Sequence, residues 1–233
     1  MRGELKVIRP IEGLALSEYL ALEAELVKTV NEPTLFTWIV APTVIYGRHQ
    51  HAETEVNEAY CAEHGIQVVQ RKSGGGCVYA DRGNLMVSYL EPKECTKDNV
   101  QCTKDDVQCT KDDVQCTKDV SAYERFMGML AGAIRRLGYE AVTTAHNDVL
   151  VGDRKVSGTA CYTTPTGTVV HACVLYKVNI EALEQAITPT QAKLAKHGVA
   201  SVRQRVRNLG EIRDLGDIQA FREAMEEQLS IEN

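Results

Sequence analysis

Residues 66–90 read IQVVQRKSGGGCVYADRGNLMVSYL: two β-rich runs lead into and out of a loop with three consecutive glycines. This stretch limits the fold more than any other in the chain. Three adjacent glycines are costly inside a helix, and in a loop they allow positive φ or close approach of bare backbone to a ligand. The flanking Val, Tyr and Leu residues suit strands, so the segment reads as strand, turn and strand. In that hairpin-like excursion Gly74, Gly75 and Gly76 would face a bound molecule, with Arg71 beside them as an anion partner. The two common nucleotide motifs do not fit. A GxxxxGK[ST] loop needs Lys followed by Ser or Thr, whereas Gly76 is followed by Cys77 and Val78, and a GxGxxG fingerprint must open a helix. From these residues alone, a tight glycine turn without a ligand is the competing reading.

The rest of the chain supplies helices in blocks and strands in meanders. Residues 13–30 place Leu16, Tyr19, Leu20, Leu26, Val27 and Val30 near a 3.6-residue period, a helix with one buried face. TLFTWIVAPTVIYG (34–47) is two short strands broken at Pro42, and ETEVNEAYCAEHG (53–65) is one helix stopped by Gly65. SAYERFMGMLAGAIRRLG (121–138) is a second long helix ending at Gly138. NDVLVGDRKVSGTACY (147–162) and GTVVHACVLYKV (167–178) are strands, with turns at Gly152-Asp153 and at Pro165 to Gly167. NIEALEQAI and DIQAFREAMEEQL are helical. The pattern predicts an α+β fold, a mixed and largely antiparallel sheet packed with helices, in a single domain spanning residues 1–233.

Charge and cysteine usage narrow the class. A net charge of −6 argues against a nucleic-acid or anionic-membrane binder, and no apolar run approaches a membrane span, so a cytoplasmic enzyme-sized protein is expected. Four of the eight cysteines, Cys95, Cys102, Cys109 and Cys116, recur every seven residues in ECTKDNVQCTKDDVQCTKDDVQCTKDV (94–120). The Val and Cys positions lack the three-four spacing of a coiled-coil seam, and cysteines seven apart lack the close pairs of thiolate zinc sites. The repeat reads as a tandem expansion forming a loosely ordered surface insertion.

Two segments carry a family resemblance. RKSGGGCVYADRGNLMVSYL resembles the RRxSGGGxVxHDxGNLxxS stretch, and NDVLVGDRKVSGTACY the NDixvxGrKisGsA stretch, of the lipoate-protein ligase A family within the biotin and lipoate ligase superfamily. GRHQHAETEVN, HACVLYKVNIEAL and KLAKHGVASVRQRVRNL extend the likeness, while Ala80 stands where the family has His and Ala172-Cys173 where it has Gly-Thr. The resemblance implies a biotin/lipoate ligase-like catalytic domain that condenses lipoate with ATP and Mg²⁺ to lipoyl-adenylate and passes the lipoyl group to a lysine of an acceptor domain. Lys155 would be the catalytic cation at the lipoyl carbonyl. Arg71, Ser73, Gly74, Gly75, Gly76, Val78 and His171 would bind lipoate and its adenylate; Asn147, Asp148, Ser157 and Gly158 would hold the nucleotide, with Asp148 as magnesium ligand. Asp81, Gly83 and Asn84 would make structural hydrogen bonds on the loop's far side.

The acceptors implied are lipoyl domains of 2-oxoacid dehydrogenase complexes or the H protein of glycine cleavage. No C-terminal accessory domain is expected, which leaves activation to this domain alone or with a separate accessory subunit. Octanoyl or lipoyl transfer through a cysteine thioester is the alternative, but TTAHNDVLVGDRK has no cysteine, and Cys161 and Cys173 follow Lys155. A lipoate or thiol sensor is less favoured, because a pure binder would not need Asn147 and Asp148. The arginine-rich adenylate loop of biotin ligases is not found.

Overall fold

A computed structural model describes residues 5–93, 121–145, 147–188 and 202–231. The heptapeptide repeat lies outside these residues, as does all of KLAKHGVAS. Among the described residues, ten strands form two sheets. In chain order they are β1 (Lys6–Ile8), β2 (Thr34–Trp38), β3 (Thr43–Tyr46), β4 (Gln67–Gln70), β5 (Val78–Ala80), β6 (Asn84–Pro92), β7 (Ala141–Thr143), β8 (Asp148–Val151), β9 (Arg154–Thr163) and β10 (Gly167–Leu175). The larger sheet runs β1-β2-β6-β10-β9-β8-β7, and every pair except β1 with β2 is antiparallel. The smaller sheet runs β4-β3-β5, parallel on one side of β3 and antiparallel on the other.

The helices are α1 (Leu16–Thr29), α2 (Ala52–Glu55), α3 (Glu58–Glu63), α4 (Ala122–Arg136), α5 (Ile180–Ala186), α6 (Val202–Arg205) and α7 (Ile218–Leu229). Local sequence accounts for their ends. Ser121 accepts from the Glu124 amide while Glu124 reaches back to the Ser121 amide, a capping box that opens α4. Gly65 and Gly138 take φ of +64° and +92° just beyond α3 and α4, as glycine caps should. The segment 53–65 is not one helix. It breaks at Val56, which bridges to Ile187, and Asn57 restarts the chain by accepting from the Tyr60 amide. A β-branched residue followed by a strong N-cap residue is a physical reason for that break.

The larger sheet is buried on both faces. On one, Phe126, Leu130 and Ile134 of α4 and Phe221 and Met225 of α7 cover Val87, Tyr89, Val170, Ala172 and Val174. On the other, Leu16, Tyr19 and Val27 of α1 pack with Phe36, Trp38, Leu90, Val169 and Cys173, and with Ile45 and Ala80 of the smaller sheet. Helix α7 is fastened by Arg222, whose guanidinium donates to the Thr37 carbonyl at 2.9 Å and to Glu226 at 3.0 Å.

Candidate active site

The glycine segment is not a hairpin. Strands β4 and β5 flank β3 on opposite sides, so residues 71–77 must cross the end of β3 to connect them. β5 and β6, close in sequence, lie in different sheets. The crossing explains an unforeseen glycine: a side chain on Gly47, just past β3, would overlap the Gly75 carbonyl. Gly75 itself has φ +99°, a conformation that favours glycine. Arg71 is buried, and its guanidinium donates to the carbonyls of Ile45 at 3.0 Å, Gly74 at 2.9 Å and Gly76 at 2.7 Å. It pins the loop from inside, so its charge is turned to backbone oxygens rather than outward as an anion partner. Burial lowers its pKa to about 10.

Residues opposite one another on β9 and β10 share a face. Tyr162, Ala160 and Gly158 therefore lie beside Val169, His171 and Cys173, on the side of the sheet covered by α1 and the smaller sheet. The glycine loop arches over this track, with the position of a Gly75 side chain 4.0 Å from the Ala160 methyl. Val78 packs into the same cluster.

At one end of the track stands Lys155, its side chain only 18% exposed. Its Nζ lies 2.7 Å from Asp148 Oδ1, and Arg205 at the end of α6 donates to Asp148 Oδ2 at 3.0 Å. A β-bulge between β8 and β9 brings this cluster together, with Asp148 opposite Gly158. Gly158 must be bare, since a methyl there would sit 2.5 Å from Lys155 Nζ. Residues 205–207 are bound to the same strand: Val206 bridges Lys155, and the Arg207 amide donates to the Lys155 carbonyl at 2.9 Å. Burial acts to raise the Asp148 pKa, but the pull of Lys155 and Arg205 outweighs it and holds the carboxyl below its ordinary range. Asn147 points its amide into the fold, donating to the Thr159 carbonyl at 3.1 Å.

Ser157 does not join the cluster. It pairs with Val149 and Val174, both in the α4-side core, and its hydroxyl is buried on the side of β9 away from the track. Alternation along the strand is the reason, so the side-chain role expected for Ser157 at the nucleotide is not supported by its placement. Asp81, Gly83 and Asn84 form a closed turn. Asn84 accepts from the Asp81 amide at 2.7 Å, and Asp81 accepts from Gly83 at 2.7 Å and from Asn179 at 3.0 Å.

Midway along the track, at the register of Ala160, His171 enters a chain of hydrogen bonds closed off from solvent. Trp38 Nε1 donates to Ser88 Oγ at 2.8 Å and Ser88 to Glu23 Oε1 at 2.6 Å. Glu23 Oε2 lies 3.2 Å from His171 Nδ1, and His171 Nε2 lies 2.9 Å from Ser73 Oγ in the glycine loop. Sequence reasoning found Ser73 and His171 but missed Glu23. The signal was available, because Tyr19, Glu23 and Val27 lie four apart on the buried stripe of α1.

Of the two thiols that follow Lys155, Cys173 is a poor nucleophile for the transfer alternative. Burial pushes the Cys173 thiol up to about 12, and its sulfur accepts from Asn84 Nδ2 at 3.0 Å. Cys161 packs against the α4-side core.

A lysine paired with a carboxylate at the end of a sheet track, and a strap of bare backbone crossing that track, together make the candidate active site. The chain belongs to the lipoyl protein ligase A/B catalytic domain family, whose description matches residues 10–230. Among curated relatives it is 31% identical over 84% of its length to the lipoate-protein ligase LplJ of Bacillus subtilis, covering 53% of that protein. It is 30% identical over 91% of its length to lipoate–protein ligase 1 of Staphylococcus aureus, covering 57% of it. The chain thus spans about half the length of these relatives. Among solved structures, a bipartite lipoate protein ligase described with its E2 lipoyl domain, from Thermoplasma acidophilum, shares the fold at TM-score 0.72 and 22% identity, with 99% of this chain and 83% of that one covered. A lipoate-protein ligase A bound with ATP shares it at TM-score 0.69 and 22% identity, over 99% of this chain and 85% of the other. Among the described residues no helix is long and apolar enough to cross a membrane.

Proposed function

We propose that this chain is the catalytic portion of a lipoate-protein ligase. A lipoate carboxylate oxygen attacks the α-phosphorus of ATP, pyrophosphate leaves, and the lipoyl-adenylate formed is attacked at its carbonyl by an acceptor lysine, releasing AMP. The observation that carries the reading is Lys155, held at 2.7 Å from Asp148 over the bare Gly158, at the end of a track roofed by Gly74 to Gly76. Two anions must meet in the first step, and a fixed cation between them stabilises the charge that builds in the transition state. The roof excludes water from the adenylate, a mixed anhydride prone to hydrolysis. The track runs beside Gly158, Ala160 and Tyr162, about 13 Å of strand, which suits an acyl chain of lipoate's length.

Asp148 as it stands does not fit a magnesium ligand. Each of its oxygens faces a cation, Lys155 on one and Arg205 on the other, which leaves neither turned to an ion. Its proposed role is therefore to aim Lys155, and no step is routed through magnesium. The acceptors proposed are lipoyl domains of 2-oxoacid dehydrogenase complexes or the glycine cleavage H protein, in line with the lipoyl domain described beside the archaeal ligase. A separate accessory subunit for activation is the finer part of the proposal.

The test is pyrophosphate release by the purified chain given ATP, Mg²⁺ and lipoate, followed by mass spectrometry of an added lipoyl domain. Release with one lipoyl group gained by the acceptor is expected. Modification only from supplied lipoyl-adenylate would place activation with a partner subunit, and no modification from either donor would refute the assignment.

A further inference from the structure

We infer that Glu23 is a positioning residue that sets the glycine loop through His171 and Ser73. The inference rests on the proposed ligase reading only for its consequence in turnover. Five segments meet in one hydrogen-bonded chain: α1 through Glu23, β2 through Trp38, β6 through Ser88, β10 through His171, and the loop through Ser73. Glu23 is 0% exposed, Ser88 0% and Ser73 1%, so water does not compete for these bonds. A buried carboxylate without partners would be very costly, and here both oxygens are engaged.

The chain also has a direction. Trp38 can only donate, and the Glu23 carboxylate can only accept. His171 Nδ1 therefore presents an N–H to the Glu23 carboxylate, and Nε2 shares its hydrogen bond with the Ser73 hydroxyl. This is the logic by which an acid fixes the tautomer of a catalytic histidine for a serine. Ser73, however, lies within the loop, where its carbonyl accepts from the Arg48 amide at 3.1 Å and Arg71 pins Gly74 and Gly76. The relay therefore fixes where the bare backbone of Gly74 to Gly76 lies over the track. Tyr162, whose ring centre is 6.4 Å from that of His171, closes the β9 side.

Replacing Glu23 by Gln keeps the volume but leaves one acceptor and one donor where there were two acceptors, so the bond to either Ser88 or His171 must be reversed or lost. Three readouts test the relay: ¹⁵N chemical shifts of His171, amide exchange at Gly74 to Gly76, and kcat/KM for lipoate, in wild type, Glu23→Gln, Ser73→Ala and the double variant. Glu23→Gln is expected to speed loop exchange and to lower kcat/KM roughly tenfold or more, as loss of a charge-assisted hydrogen bond implies. In the Ser73→Ala background the same change is expected to add little, because its route of action is already cut. Equal effects in both backgrounds, or unchanged loop exchange in a folded Glu23→Gln chain, would overturn the inference.

If Glu23→Gln does not fold, His171→Phe breaks the same link while leaving Glu23 with Ser88, and it must speed loop exchange for the inference to stand. Exchange and ¹⁵N shifts need no turnover, so a wild-type chain that neither releases pyrophosphate nor modifies the acceptor would sink the ligase reading alone.

Discussion

Gly158→Ala separates activity from stability. A methyl at Gly158 would lie 2.5 Å from Lys155 Nζ and 2.7 Å from its Cε. Ordinary contact begins near 3.4 Å, so the ammonium must retreat by about 1 Å, a misplacement of the size that can cost on the order of 100-fold in rate. The retreat also lengthens the 2.7 Å pair with Asp148. Fold stability is affected differently. The obstacle is the end of a flexible side chain, Gly158 is not among the residues with positive φ, and Gly→Ala at a compatible position gains about 0.4–1 kcal/mol from the unfolded chain. The expected outcome is pyrophosphate release reduced about 100-fold with an unfolding midpoint in denaturant unchanged or raised. Full activity would refute the claim that Gly158 exists to clear Lys155, and a large loss of stability would show that the methyl meets something other than the lysine.

Further outcomes follow from the same geometry. Lys155→Ala is expected to abolish adenylate formation while circular dichroism shows the fold retained; an active variant would end the proposed mechanism. Arg71→Met leaves the Ile45, Gly74 and Gly76 carbonyls without their donor and is expected to cost about 2–4 kcal/mol in urea unfolding. Asp148 has a folded pKa below its ordinary 3.8, so its contribution to stability is present above that value and is lost as pH falls through the folded pKa. The stability gap between wild type and Asp148→Asn should therefore hold steady from neutral pH to about 5 and narrow below about 4; a gap that widens in acid would contradict the ion pairing. Cys173, with its thiol at about 12, should resist iodoacetamide at pH 8 in the folded chain and react once unfolded, as read by peptide mass spectrometry; rapid labelling of the native chain would reopen the thioester route.

The sequence made legible what short-range physics decides. The long helices at 16–29, 122–136 and 218–229, the meander β8-β9-β10 and the glycine caps follow from periodicity, turn residues and backbone freedom within a few positions. The errors arose where partners distant in the chain decide. The runs on either side of the glycines read as the arms of one hairpin-like excursion, yet β4 and β5 both pair with β3, and β6 pairs with β2 and β10. That choice is made by which sheet buries each run, and no local pattern records it. Gly47 shows no purpose in its local sequence, because the carbonyl it avoids belongs to Gly75, 28 positions later.

The candidate site divides along the same line. Lys155, Asp148 and the triple glycine stand in recognisable motifs, but the function of a motif residue depends on what fills the space around it. The motif presents Arg71 as an anion partner, and its guanidinium faces three carbonyls; Asp148, expected as a metal ligand, has Lys155 and Arg205 at its two oxygens. Ser157 was assigned by its neighbours, although strand alternation from Gly158 already placed it on the other face. Glu23 runs the other way, being readable without any motif. A carboxylate between Tyr19 and Val27 on an apolar stripe must be either exposed by a break in the helix or paired inside the protein, and the unbroken helix leaves only the second. The partner had to be a buried donor on a strand under α1. His171, in a run of β10 that is otherwise apolar, was the one side chain in GTVVHACVL able to answer a carboxylate with a ring proton.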